Sequence, residues 1–254
     1  PKRDGDRREV RAQIAKLEKE SGRKYKVVSF DYAGIQARNV AMESKDPELV
    51  KAFRERYDIH TDWMEQIVRV VPRWVKEGVK NLVHDKKLAK AYRNRAKNEF
   101  VFPAFFGAQA PSISRSLSIS EDDTAKVRDM FLDRFVGVAT WHELLLKRYR
   151  KTGYVTGLSG WRRRAPVSPN ELINTPIQSD EALIVCDAMC RLSEMDIWAL
   201  QPNGEVHDDL FFIWWEGDVD KYARIVLDTM LNTPFKWAHI VPLGVEFSLG
   251  DDWF

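Results

Sequence analysis

Two rhythms of apolar residues run along this chain. Short continuous runs at 25–31 and 210–215 read as strands buried on both faces. Elsewhere the apolar positions recur every three or four residues, as helices require. Residues 6–22 form a charged helix with a thin stripe of Val10, Ile14 and Leu17, stopped by Gly22. Residues 34–42 read as a helix, and Asp46-Pro47 opens another, since Asp caps well and Pro fits a first turn. Asp58 and Thr61 are both candidate caps for a helix over 60–71, which Pro72 breaks. A basic helix over 85–100 is expected to stop at Pro103 and Gly107, and the Ser-, Ala- and Pro-rich stretch 108–118 reads as a loop. Helices follow at 121–135, 138–151 and 169–195, with a hairpin around Gly157-Leu158-Ser159-Gly160 between the last two. An acidic hairpin over 204–215, a helix over 217–232 and a strand over 238–248 complete the chain. A few strands split by a large helical insertion make an α+β fold.

Composition narrows this picture. The 254 residues, 44% hydrophobic and 11% aromatic, suffice for one large domain or two small ones. The formal net charge is only +2, so any nucleic-acid binding must come from local clusters. Cys186 and Cys190 share one helical face and carry no metal signature, which makes them expected reduced core residues. With no leader and no apolar run long enough for a bilayer, the expectation is a soluble protein of a reducing cytoplasm. The chain opens at Pro1 and not at Met, as a processed or trimmed piece would.

The candidate chemistry is acidic at two strand ends and basic on one helix. Asp208 and Asp209 open the 210–215 run, after His207, and Asp31 ends the 25–31 run. Adjacent carboxylates repel and resist desolvation beside apolar neighbours, and a cation resolves both costs. Acidic strand ends brought together hold Mg²⁺ through oxygen ligands, the equipment of metal-assisted nucleotidyl transfer. Because neighbours on a strand face opposite ways, Asp208 is assigned to the metal and Asp209 to its periphery. An exposed acidic turn is the plainer alternative. Arg93 and Lys97 stand four apart on the basic helix and suit a triphosphate, while Phe100, Phe102, Phe105 and Phe106 offer a stacking surface for a base. A solvated basic face running into core aromatics is the competing reading. Arg162, Arg163 and Arg164 suit a phosphate backbone or simply water.

The order and spacing of these pieces resemble family A DNA polymerases, the bacterial DNA polymerase I and phage replicative class. Residues 30–38, Phe-Asp-Tyr-Ala-Gly-Ile-Gln-Ala-Arg, resemble that family's motif A. Asp58-Ile59-His60-Thr61 looks like its fingers motif. Arg93-Asn94-Arg95-Ala96-Lys97 through Phe106-Gly107 resembles motif B, and Ile173-Asn174-Thr175-Pro176-Ile177-Gln178 is similar to the palm helix touching primer-template. Val206-His207-Asp208-Asp209 resembles motif C, and residues 241–253, ending in Trp253, look like the C-terminal strand.

The resemblance implies a palm built on a small antiparallel sheet with helices and an inserted helical fingers subdomain. Palm would span 25–45 and 136–254, fingers 46–135, and the charged helix 1–24. It implies two Mg²⁺ ions held by Asp31, Asp208 and the Tyr32 carbonyl. Arg93, Lys97 and His60 would meet the triphosphate of a dNTP, with Lys97 as general acid. Phe102 would stack near the incoming sugar and base, and Phe106 would sit at the templating position. Asn174, Gln178 and His207 would touch the DNA primer-template, and Arg162 and Arg163 its backbone. The implied setting is the cytoplasm of a bacterial or phage-infected cell, away from membranes.

Four departures stand out. Gln36 occupies the place of the Glu that excludes a ribose 2′-hydroxyl, keeping its bulk without its charge. One extra residue lies between Lys97 and Phe106, so Val101 and Phe102 compete for the aromatic position. Motif C ends in Asp209 where Glu is common. The thumb, the first part of the palm and any exonuclease domain have no counterpart, which implies dependence on an N-terminal part or a second chain. The competing functions are a single-subunit RNA polymerase relative and a nucleic-acid-binding module without turnover.

Overall fold

The computed structural model describes residues 2–251, with side chains from residue 7 onward. In chain order the elements are α1 (Lys2–Ser21), β1 (Tyr25–Tyr32), α2 (Ile35–Ser44), α3 (Pro47–Arg54), α4 (Ile59–Val70), α5 (Val79–His84) and α6 (Lys86–Arg95). A π-helical turn (Ala96–Val101) then leads directly into α7 (Phe102–Phe105). There follow α8 (Ala110–Leu117), α9 (Glu121–Arg134), α10 (Val136–Thr152), β2 (Tyr154–Thr156), β3 (Arg162–Arg164), α11 (Pro169–Glu194), β4 (Gly204–Val206), β5 (Asp209–Trp215), α12 (Val219–Leu231) and β6 (Val245–Gly250). The chain forms two compact units, one from the residues up to Ile35 together with those from Asp180 on, the other from Gln36 to Ser179.

The first unit is built on an antiparallel sheet of order β4-β5-β1-β6. Strand β1 lies in its interior, and Val27, Val28, Ser29 and Phe30 are all buried. Opposed residues share a face. On one face Phe30 meets the rings of Phe212, Trp214 and Phe247, Trp214 meets Tyr222 of α12, and the Tyr32 hydroxyl donates to the Met230 carbonyl at 3.0 Å. On the other face Val10 and Ile14 of α1 pack over Val27, Phe211, Tyr25 and Ile213. With helices on both sides, β1 has no solvent face, which is why its sequence lacks clean alternation.

In the second unit an aromatic core joins Trp63, Phe100, Phe105, Phe131 and Phe135, with Trp63 and Phe131 only 4.8 Å apart. Side-chain caps start several of its helices, among them Asp46 on α3, Asp58 on α4, Asp85 on α6 and Ser120 on α9. Asp46 also accepts from the Gly137 amide at 2.7 Å, so one buried carboxylate serves the starts of both α3 and α10.

Several expectations need correction. Residues 108–118 are mostly α8, because Pro111 fits its first turn and Ile113 and Leu117 bury on one side. Pro103 does not end the basic helix: it sits in the first turn of α7, where a missing N–H is tolerated, and Gly107 in the left-handed region ends it. The last strand begins at Val245, since Lys236–His239 form a 3₁₀ turn followed by Pro242. Trp253, expected to close that segment, lies outside the described residues. Cys186 and Cys190 are exposed, because the buried stripe of α11 runs through Ile184, Val185, Ala188 and Leu192 instead. Phe100 and Phe105 are core residues, which leaves only Phe102 and Phe106 half-buried for stacking.

Candidate active site

The acidic constellation belongs to the first unit. Register places Asp31 of β1 opposite Asp209 of β5 and opposite Glu246 of β6. Directly opposed residues point the same way, so three carboxylates line up across adjacent strands. The row stands on the face that α1 covers at its other end. Asp208 lies in the β4–β5 turn, outside the strand, and its carbonyl accepts from the Tyr32 amide at 3.2 Å. The strand-alternation argument therefore does not apply to Asp208. What separates the pair is the Ser29 hydroxyl, which donates to Asp209 at 2.5 Å.

Burial first, then the negative charges of Asp208, Asp209 and Glu246, push the Asp31 carboxyl up to about 6. Burial and the charge of Glu181 likewise raise Asp208. Partly desolvated like charges of this kind are what a divalent cation compensates. Among the described residues, no group of three or more His, Cys, Asp and Glu side chains forms a metal cage. Two carboxylates plus a backbone carbonyl nevertheless suit Mg²⁺, which keeps several waters and takes substrate phosphate oxygens. The donor set fits. The Tyr32 side chain is buried, so the residue has only its backbone to offer a ligand. His207 is exposed and holds a left-handed backbone (φ 62°) in the same turn.

The cationic constellation belongs to the second unit. Arg93 donates to Asp58 through Nε at 2.8 Å and through its terminal nitrogen at 3.0 Å. Asp58 also accepts from the amides of His60 and Thr61, each at 3.1 Å, and from the Thr61 hydroxyl at 2.7 Å. Burial alone would raise the Asp58 carboxyl, but the bonds from Arg93 and Thr61 hold it well below the usual carboxylate range. Burial, then Arg93 and Lys97, push His60 down to about 4, so it is neutral at pH 7. Its Nδ1 is buried without a hydrogen bond. The His60 ring lies 5.8 Å from Phe102, the Lys97 ammonium sits 5.4 Å over the same ring, and Phe102 stacks with Phe106 at 6.3 Å. Cations, a neutral imidazole and a half-buried aromatic pair thus share one surface.

The remaining candidates are dispersed. Gln36 is half-buried in the first turn of α2. Asn174 and exposed Gln178 are four apart on α11 and share a side. Arg163 is tied to Glu171, whereas Arg162 lies over the Tyr154 ring at 5.0 Å. Sequence reasoning missed three participants. Asp58 was read as a cap and as the start of the fingers-like motif but not as the partner of Arg93, and the partnership of Glu246 with Asp31 depends on strand register. Glu181 beside Asp208 depends on how α11 meets the sheet; no local motif marks it.

Comparison with known proteins gives the family. The family model for DNA polymerase family A matches residues 1–254. The thermostable DNA polymerase I of Thermus thermophilus is 29% identical over 243 residues, which is 89% of this chain and 27% of that protein. DNA polymerase I of Bacillus subtilis (strain 168) is 27% identical over 262 residues, 97% of this chain and again 27% of the relative. The chain thus spans about a quarter of the length of these relatives. Its fold resembles the polymerase domain of Pol1 from M. smegmatis, solved in complex with DNA primer-template and dNTP, with a TM-score of 0.73. That match has 24% identity and covers 92% of this chain and 40% of the other. A family match over the whole length, with the acidic strand ends and the Arg93–Lys97 helix in place, means that this chain belongs to DNA polymerase family A.

Proposed function

We propose that this chain is the palm and fingers portion of a template-directed DNA polymerase. It would transfer a deoxynucleotidyl group from a dNTP to a primer 3′-hydroxyl. The observation that carries the reading is the pairing of Asp31 with Asp208 at the end of the sheet, partly desolvated and short of positive charge. Asp31, Asp208 and the Tyr32 carbonyl hold two Mg²⁺ ions in this reading. When bound, such ions acidify the attacking hydroxyl and offset charge on the leaving pyrophosphate. Arg93 grips the triphosphate after exchanging its Asp58 carboxylate for phosphate oxygens, a fork geometry suited to either anion. Neutral His60 adds a hydrogen bond, and Lys97 gives a proton to the departing pyrophosphate. Phe102 stacks against the incoming sugar and base, Phe106 lies at the templating position, and Gln36 stands as the bulk that excludes a ribose hydroxyl.

Asn174, Gln178 and His207 contact the primer-template in the same reading, and Arg162 and Arg163 its backbone. Palm and fingers are assigned as before, to 25–45 with 136–254 and to 46–135. A cytoplasmic setting goes with the bacterial relatives; among the described residues no helix is long and apolar enough to cross a membrane. Firm duplex grip is taken to need further polypeptide, in the same chain or a second one. The test is primer extension by the most complete polypeptide that carries these residues, beside these 254 residues alone. Asp31→Ala and Asp208→Ala are each expected to lower extension by about 10²–10³-fold or more, the scale of losing a main electrostatic stabiliser. Unchanged extension in either variant refutes the assignment. Preference for dNTP over rNTP separates this reading from an RNA polymerase.

A further inference from the structure

The π-helical turn falls between the two halves of the cationic surface. Its defining bond runs from the Phe102 amide to the Lys97 carbonyl, an i→i+5 contact in place of the usual i→i+4. The sequence shows why such a turn is needed. At about 100° per residue, an unbroken α-helix would set Phe102 about 140° away from Lys97. The buried residues Tyr92, Ala96, Phe100, Val101, Ala104 and Phe105 would then spread over about 220° of the helix. Taking one residue out of the phase aligns both stripes. The buried set then occupies about 140°, and Arg93, Lys97, Phe102 and Phe106 follow one another at steps of about 40°. The observed contacts are those of the aligned helix. Lys97 lies over Phe102, Phe102 stacks on Phe106, and Val101 is fully buried.

We infer that this π turn is a one-residue register device that carries Phe102 and Phe106 onto the Arg93–Lys97 stripe. Phe102, and not Val101, thereby meets the sugar and base of the incoming deoxynucleoside triphosphate. The inference rests on the proposed nucleotide site and adds which side chain that site presents and what presents it. Asn98 is the exposed residue of the turn and makes no hydrogen bond or ion pair that the core depends on, so it is the natural one to remove. Its deletion returns the helix to α geometry with both flanks keeping their phase.

The test measures dATP binding to the full chain in the presence of Mg²⁺ and primer-template. The Asn98 deletion is expected to fold and to bind dATP within about threefold of the parent. Phe102→Ala is expected to bind about tenfold more weakly, the scale of one lost stacking contact, and Val101→Ala is expected to leave dATP affinity unchanged. Photolabelling of the unaltered chain with 8-azido-dATP is expected to mark Phe102 or Phe106. A folded deletion variant that has lost dATP affinity overturns the register device, as does one that cannot fold or a photolabel on Val101. Unchanged affinity in Phe102→Ala, with labelling away from this helix, overturns the nucleotide site itself and so separates the two failures.

Discussion

Asp31 illustrates how a single side chain can be costly to the fold that carries it. Its carboxyl ionises near 3.8 in an unfolded chain and near 6 in the folded one. Between those values the folded state keeps a proton that the unfolded state has lost, so stability falls as pH rises; above pH 6 the full penalty stands. Asp31→Asn removes it. The variant is expected to melt about 2–4 °C above the parent at pH 7.5, equivalent to about 1 kcal/mol once solvent screening is allowed for. It should melt level with the parent at pH 4, and Mg²⁺ should narrow the gap at pH 7.5 by steadying only the parent. Thermal melts at both pH values check this; equal melting points at pH 7.5 would contradict it. At this scale Asp31, Asp208, Arg93 and Lys97 were legible in the sequence, because motif spacing marks them. Asp58 was legible as a cap within the fingers-like motif, not as a partner of Arg93. Its grip on Arg93 joins residues 35 positions apart, and no local pattern reports such a contact.

The elements were legible where the apolar pattern was clear, as a continuous run in β1 and as three- and four-residue spacing in α4. Reading failed where residue chemistry pointed the other way. Pro111 and the serines of α8 suggested a loop, yet Pro at a helix start is favourable and Ile113 with Leu117 supplies the buried stripe. The start of α10 shows a different limit. A Cβ on Gly137 would come within 2.7 Å of the Asp46 Cα and 2.9 Å of its carboxylate oxygen. Glycine there is dictated by another helix, not by its own. Gly137→Ala is expected to cost about 1–3 kcal/mol, as other overpacked sites do, by prising Asp46 off two helix starts. Urea denaturation checks this, and a cost near zero would mean that the α3 start moves aside freely.

On the scale of the whole molecule, near-neutral net charge hides strong local signs, acidic across β5-β1-β6 and basic along α6 and β3. Binding to primer-template should therefore be salt-dependent through a few residues and not through bulk charge. Arg162→Ala combined with Arg163→Ala is expected to flatten the slope of log affinity against log salt by about 2, since each lost phosphate contact removes about 0.9. Titration from low to moderate salt measures it; an unchanged slope would place these arginines off the DNA. The α+β class and the helical insertion were readable from the order of elements. The pairing of strands was not, because register is set by long-range packing.

That register has a consequence for anyone handling the protein. If β6 slipped by one residue, Phe247 or Val245 would stand beside Asp31 in place of Glu246, and Phe247 would leave the ring of Phe30. A misassembled batch would then keep its helices and most of its buried rings, and circular dichroism would pass it. The carboxylate row would be broken, and with it the share of the repulsion on Asp31 that Glu246 supplies and a divalent ion would offset. A cation titration is thus a more searching check on refolded material than any measure of secondary structure.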